Sequence, residues 1–205
     1  DGFGTYRYGA SVDTNLSYRL TLSGKQTGHF KQENGNNEDD WKQLRLSGRV
    51  DWQPEENQRV MITGGTFRQS SENEIPTQLP FGAVSPNYQN NLDSYGHYLL
   101  ARWENDIDER NSFFAQVYFD RFKKESIERS EKDTTYDIEL RHVYTFDETH
   151  KFTLGGGYRV VKDSINNSDF TRYSPKHTQR DTFRLFLQDE ITLVPDEWSL
   201  ILGSK

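Results

Sequence analysis

Charged side chains recur at every second position in several segments of this chain, between apolar neighbours. Arg19 stands between Tyr18 and Leu20, and Arg102 between Ala101 and Trp103. Guanidinium groups bind carboxylates through paired hydrogen bonds, so a surface that carries both suits hydrogen bonding and ion pairing. The pattern predicts such a surface from Arg19, Arg45, Arg49, Asp51, Arg102, Glu104, Glu139, Arg141 and Arg159.

Patterns for enzyme chemistry are weak in this sequence. The five histidines do not form an H-E-x-x-H zinc motif, and no G-x-S-x-G nucleophile elbow occurs. Asp137 and Glu139 would lie about 6.6 Å apart on one strand face, a spacing that a glycosidase could use, but no other feature marks a sugar cleft. We therefore expect no enzyme activity, no catalytic residue, no metal site and no cofactor.

The composition excludes several classes of protein. The 205 residues include no cysteine, which excludes a disulfide scaffold and a thiolate metal site. The net charge of -7 predicts no nucleic-acid partner, because such proteins present a basic surface. The mean hydropathy of -0.96 and the lack of about 18 consecutive apolar residues exclude a membrane helix. A membrane β-barrel escapes this test, because half of each strand is polar.

The residues between these charges alternate with them over long stretches. In 16–25, Leu16, Tyr18, Leu20 and Leu22 fall on one face of a β-strand and the polar residues on the other. The pattern recurs in about ten segments, several of at least ten residues. Strands of soluble proteins have about 5–6 residues, whereas strands that span a membrane need about 9–11. Glycines at 64–65 and 155–157 within these strands predict bends or close approach of neighbouring groups.

The connections are predicted to alternate in length. Short turns are expected at Asp13, Pro54, Asp106, Asp147 and Pro195, and long polar connections at 26–40, 69–94, 123–133 and 162–181. In an antiparallel meander this places all short turns at one end and all long connections at the other. Outer-membrane barrels have this asymmetry, with short periplasmic turns and longer extracellular loops.

Large aromatic residues cluster near the short turns. Trp52, Trp103, Phe146 and Trp198 each lie within a few residues of one. Aromatic rings are enriched where a membrane meets water, so these four are predicted to form a periplasmic girdle. The alternative is that they anchor the core of a soluble β-sandwich.

Five segments resemble the barrel strands of TonB-dependent outer-membrane receptors, in order and spacing. They are 37–54, 113–120, 152–159, 185–193 and 200–205. The resemblance implies an all-β, antiparallel up-and-down meander of about ten long strands within a 22-stranded barrel that a plug domain fills. On this interpretation residues 1–205 are part of the barrel domain, truncated at both ends and located in the bacterial outer membrane.

The resemblance also implies a function and partners. Such receptors take up a scarce nutrient with energy from the TonB protein, and a ferric siderophore is the substrate class expected here. The partners implied are outer-membrane lipid, the plug domain of the same parent chain, TonB through an N-terminal part, and a small-molecule ligand such as a ferric siderophore.

The resemblance assigns roles to particular residues. Tyr88, Arg172 and Tyr173 lie in predicted outer loops and are the candidate ligand contacts, although aromatic residues also anchor loops by packing. The residues expected to face the lumen or the plug are Arg19, Arg45, Arg49, Arg102, Glu104, Arg141 and Arg159. A solvated polar wall without a specific partner is the alternative for each of them.

Two other architectures fit parts of the pattern. One is a complete ten-stranded outer-membrane barrel, which needs its first and last strands to pair. The other is a soluble β-sandwich binding module, which needs shorter strands and a core between two sheets.

Overall fold

The computed structural model describes residues 1–28, 40–74, 89–127, 129–168 and 171–204, and all regular structure in these ranges is β-strand. No helix among them is long and apolar enough to cross a membrane. The ten strands are β1 (Gly2–Ser11), β2 (Leu16–Thr27), β3 (Trp41–Trp52), β4 (Gln58–Glu74), β5 (Gln89–Asp108), β6 (Asn111–Glu125), β7 (Arg129–Thr145), β8 (His150–Asn167), β9 (His177–Val194) and β10 (Trp198–Ser204).

The strands form one antiparallel sheet in chain order from β1 to β10. Each strand pairs with its neighbours in sequence, so the sheet is an up-and-down meander, as predicted. Six strands have 15 or more residues, and β5 has 20. These lengths exceed the about 9–11 residues that cross a bilayer, so the strands extend beyond any membrane they span.

The five predicted short turns are all present, and aspartate side chains stabilise several of them. Asp147 Oδ1 accepts hydrogen bonds from the backbone N–H groups of Thr149 (2.8 Å) and His150 (2.7 Å). These two N–H groups stabilise the ionised carboxylate and lower the pKa of Asp147, with that of His150 contributing most. Asp13 Oδ1 accepts in the same way from Leu16 N at 2.7 Å. Such local bonds reverse the chain without a ladder partner.

Three of the predicted long connections are wrong in length. The predicted connection 69–94 begins and ends within the β4–β5 ladder, where Gln69 pairs with Ser94 and Glu74 with Gln89. Lys123 and Lys132 pair within the β6–β7 ladder, and only residues 126–128 connect the two strands. Asp163 likewise pairs with Thr178, so the β8–β9 connection is residues 168–176. The alternation of apolar side chains stops in these parts while backbone pairing continues. Polar strand ends therefore looked like loops in the sequence.

The pairing register brings the alternating residues of all strands onto two common faces. The apolar face contains Leu20 of β2, and the ladders place Tyr8, Gly48, Gly64, Leu99, Phe119, Tyr136 and Val160 in line with it. The polar face is opposite and contains Arg19. No hydrophobic residue in the described ranges is buried, and Leu20, Leu99 and Leu185 are about half exposed. The apolar face therefore has no protein partner in this structure.

The apolar residues form a band that runs obliquely across the sheet. On β3 the band ends at Leu44, followed by Lys42, and on β9 it ends at Phe183, followed by Asp181. Successive paired residues across the sheet connect Leu44 on β3 with His177 on β9, which is six strands away. On β9 the band ends at Phe183, six residues from His177. The band thus shifts by one residue per strand. With about 3.3 Å per residue and about 4.8 Å between strands, it crosses strands tilted by about 35°, the tilt of a closed barrel.

Aromatic residues follow the end of this band near the short turns. Trp103 packs against Phe113 with a centroid distance of 5.6 Å, and Phe146 lies 6.4 Å from both Tyr144 and Phe152. Trp52 and Trp198 are exposed beside their turns. These positions are compatible with the predicted girdle, which remains a prediction. At the same end His150 Nδ1 lies 2.9 Å from Asp189, the acid that interrupts the apolar alternation of β9.

Candidate functional site: the polar face of the sheet

All seven residues predicted to face the lumen or plug lie on the polar face. Along each strand they alternate with the apolar residues, so their side chains lie on the opposite face of the sheet. They are Arg19 of β2, Arg45 and Arg49 of β3, Arg102 and Glu104 of β5, Arg141 of β7 and Arg159 of β8. That this face lines a lumen or contacts a plug remains a prediction.

A three-residue ion cluster occupies the centre of β7, β8 and β9. The Asp137 side chain is 6% exposed, and its carboxylate accepts hydrogen bonds from Arg159 Nε at 2.6 Å and from Arg184 Nη2 at 2.8 Å. Two arginines surround one carboxylate, so the cluster keeps one net positive charge on the polar face. A buried carboxylate needs such partners, because removing an unpaired charge from water is costly.

Gly157 makes this cluster possible. It lies on β8 between Glu139 and Arg184, and a Cβ there would lie 2.9 Å from Arg184 Nη2 and 2.8 Å from the carbonyl oxygen of Ile138. The arginine side chain therefore passes over bare backbone to reach β7. The predicted close approach at 155–157 is found here, and at Gly155 the ring of Phe186 covers the backbone in the same way.

A second cluster combines arginines with an aromatic ring. The guanidinium carbons of Arg141 and Arg102 lie 4.5 Å and 5.3 Å from the centre of the Phe114 ring. Arg102 also donates to Gln116 Oε1 from Nη2 at 2.9 Å. Cations over a ring face are attracted by its quadrupole, so Phe114 holds both side chains close to the wall.

Aromatic rings line the same face nearer the long connections. Phe67 and Phe122 are stacked with their centroids 6.3 Å apart. Gly96 lies between them in the ladder, and a Cβ there would meet the Phe67 ring at 2.6 Å. Arg45 lies 5.8 Å from the Phe67 centroid. The polar face is therefore a surface of fixed rings and guanidinium groups as well as hydrated charges.

Close to the short turns the polar face forms a groove of about 450 Å³ between β2 and β5. Arg49 makes two hydrogen bonds to Asp51, of 2.6 and 2.7 Å, and Arg59 pairs with Asp106 at 2.9 Å. Arg102, also on the groove wall, donates to the neutral amide of Gln116 and forms a longer ion pair with Glu104, at 3.9 Å. The groove thus offers both signs of charge to a polar partner.

The candidate ligand contacts have different positions. Tyr88 lies outside the described residues. Arg172 is exposed in the β8–β9 connection. The hydroxyl of Tyr173 accepts a hydrogen bond from Arg129 Nη1 at 2.7 Å, and its backbone N–H donates to Asn167 Oδ1 at 2.9 Å. Tyr173 therefore anchors its connection to two strand ends, and its role in ligand binding remains a prediction.

Sequence reasoning missed Arg184, Phe114, Phe67 and Phe122 as members of the polar face clusters. Arg184 lies between the apolar residues Phe183 and Leu185, so the same alternation that identified the other arginines could have identified it. No group of three or more histidine, aspartate or glutamate side chains in the described ranges is arranged to hold a metal ion.

Comparison with known proteins identifies the fold. No protein-family model and no curated protein sequence matches the chain. Among solved structures, the siderophore receptor PiuA from Acinetobacter baumannii superposes with a TM-score of 0.70 at 13% identity over 97% of this chain. The open form of the ferric-catecholate import receptor Fiu from Escherichia coli gives 0.69 at 12% identity, and the outer membrane transporter YddB from Escherichia coli gives 0.70 at 12% identity, each over 98% of this chain.

The chain spans 39%, 41% and 33% of the lengths of PiuA, Fiu and YddB. Likeness at this identity concerns the fold, and at that level the resemblance to TonB-dependent receptors is confirmed. The chain has the fold of part of the β-barrel wall of an outer-membrane receptor of this kind.

Proposed function

We propose that this chain forms part of the wall of an outer-membrane receptor for energy-dependent uptake of a scarce nutrient, with a ferric siderophore as the substrate class. The observation that carries the proposal is the register of the sheet. It places an oblique apolar band on one face and a continuous row of arginine, carboxylate and aromatic groups on the other.

The polar face supports a binding role for the enclosed side of the wall. Most ferric siderophores present oxygen-rich, polar surfaces, and many are anionic. The Asp137 cluster keeps one excess positive charge, and Arg141 and Arg102 are held over an aromatic ring. Fixed guanidinium groups suit recognition of anionic oxygen. The same groups suit contact with a plug domain of the parent chain. In a receptor of this kind, the TonB protein supplies the energy for uptake and is the further partner that we propose.

The two other architectures receive less support. In the described part of the chain β1 and β10 do not pair, so these ten strands do not close into a barrel of their own. A soluble sandwich would bury one sheet against another, whereas the described strands form a single sheet without a buried hydrophobic residue.

Uptake can be measured directly. The complete gene is expressed in an iron-starved Gram-negative host that lacks its own siderophore receptors, and in the same host without TonB. We expect ⁵⁵Fe from a catecholate or hydroxamate siderophore to accumulate in the first host and not in the second. Presence of the protein in the outer membrane without accumulation of any ferric siderophore would contradict the substrate class. Accumulation independent of TonB would contradict the mechanism.

The candidate ligand contact Arg172 has a matched control. Arg172→Gln is expected to raise the siderophore concentration for half-maximal uptake by about tenfold or more, because one charge-assisted hydrogen bond contributes about 1.5–3 kcal/mol. Arg68→Gln removes the same charge from the apolar face of β4 and should leave uptake unchanged. Equal effects of the two substitutions would exclude Arg172 as a ligand contact.

A further inference from the structure

A basic groove lies on the apolar face just beyond the oblique band. It spans β6 to β9, has a volume of about 520 Å³, and is lined by Arg121, Lys132 and Lys162. Arg121 and Lys162 are both ladder neighbours of Thr134, so their Cα atoms are about 10 Å apart across three strands. Thr134 is 9% exposed and forms the floor. We refer to this site as the cationic groove.

The three cations of the cationic groove outnumber the two carboxylates near it. In the ranges that the structure describes, Arg121, Lys132 and Lys162 form no ion pair within 4 Å. Two carboxylates are nearby: Asp163 lines the groove, and Asp181 lies within electrostatic reach of Lys162. Asp163 accepts from the hydroxyl of Thr178 at 3.0 Å, and Asp181 accepts from that of Tyr158 at 2.6 Å. These hydroxyl groups are neutral, so three cations against two carboxylates leave the groove with an excess of one positive charge, although it borders an apolar surface.

Two apolar depressions continue the cationic groove along the strands. The first, of about 360 Å³, shares Phe119 and Tyr136 with it. The second, of about 420 Å³, shares Ile138 and Tyr158 with the first and passes over the bare backbone of Gly156. Aliphatic side chains line both, among them Val117 in the first and Leu140 in the second. Together they form one apolar furrow that runs from the cationic groove toward the short turns.

We propose that the cationic groove and the apolar furrow bind one anionic lipid of the surrounding bilayer. The phosphate of its headgroup lies between Arg121 and Lys162, with Lys132 beside it, and an acyl chain follows the furrow past Tyr136 and Ile138 to Gly156. Basic residues at the membrane surface attract anionic headgroups, and the furrow removes apolar chain surface from other lipid contacts. This binding does not depend on which nutrient the receptor takes up.

Lipid binding is tested on the protein from the complete gene, purified in non-ionic detergent, by native mass spectrometry with added lipid. The probe is dioleoylphosphatidylglycerol, compared with dioleoylphosphatidylcholine, with dihexanoylphosphatidylglycerol and with inorganic phosphate. We expect one phosphatidylglycerol with long chains to bind tightly, and the three other probes to bind more weakly. The double variant Arg121→Gln/Lys162→Gln should bind the long-chain probe about thirtyfold more weakly, since two basic residues are lost.

The matched control is Lys42→Gln/Arg68→Gln. It removes the same charge from the same face, on β3 and β4, outside the groove. This control should bind like the unmodified protein. Equal binding of phosphatidylcholine would overturn the role of the cations, and equal binding of the short-chain lipid or free phosphate would overturn that of the furrow. Equal losses in the two double variants would reduce the site to general surface charge and overturn the proposal.

Discussion

The guanidinium of Arg184 on β9 reaches across one strand to the carboxylate of Asp137 on β7, at 2.8 Å. The intervening strand β8 contributes Gly157 at the crossing point, where a larger residue would block the side chain. The contact ties three strands together on the polar face. It is also a relationship between residues 47 positions apart in the chain.

This contact predicts energetic coupling between Asp137 and Arg184. Asp137→Ala should lower the free energy of unfolding by about 2 kcal/mol, because two charge-assisted bonds are lost while the arginines can rehydrate. A double-mutant cycle with Arg184→Ala, measured by urea unfolding in detergent, should give a coupling of about 1 kcal/mol. The control cycle combines Asp137→Ala with Arg180→Ala, because Arg180 lies on the same face of β9. Equal coupling in both cycles would exclude a specific pair.

The two faces of β7 should differ in their tolerance of charge. Ile138→Arg places a cation within the oblique apolar band, which should destabilise the protein in a bilayer by about 2–4 kcal/mol. Thr135→Arg, on the polar face of the same strand beside Asp120, should change stability by less than about 1 kcal/mol. Unfolding in lipid vesicles measures both. The interpretation fails if Thr135→Arg is the more harmful substitution.

The oblique course of the apolar band predicts the orientation of the strands in a membrane. A shift of one residue per strand corresponds to a tilt of about 35° from the barrel axis. Polarised infrared spectra of the amide I band in oriented bilayers report this angle. Strands parallel to the membrane normal would be incompatible with the register described here.

The β7–β8 turn predicts a dependence of stability on pH. The pKa of Asp147 is lowered in the folded state by the N–H groups of His150 and Thr149. Its contribution to stability is therefore complete above the unfolded pKa of about 3.9 and is lost as the pH falls through the lower folded pKa. Urea midpoints should fall less steeply below pH 4 for Asp147→Asn, which accepts the same bonds without titrating. If the urea midpoints of the unmodified protein and of Asp147→Asn fell equally steeply with pH, the Asp147 carboxylate would not be the group that causes the pH dependence.

Alternation predicted much of the fold, for a physical reason. A strand between lipid and polar surroundings must alternate, so Leu20 and Arg19 indicated two faces before any pairing was known. The cluster around Asp137 was not predictable in this way, because contact between β7 and β9 depends on pairing through β8. The strand ends near Lys123 and Asp163 were interpreted as loops, because their surroundings are polar on both faces and the alternation disappears there.

We predict that Val117 and Phe119 of β6 face lipid while Tyr118 and Asp120 face the enclosed polar side. The chain has no cysteine, so a nitroxide label can be attached to single cysteines introduced at these four positions. Collision with oxygen reports exposure to lipid, and collision with a water-soluble nickel complex reports exposure to water. We predict high oxygen accessibility at 117 and 119 and lower oxygen accessibility at 118 and 120. Equal accessibility at all four positions, or alternation in the opposite phase, would contradict the account.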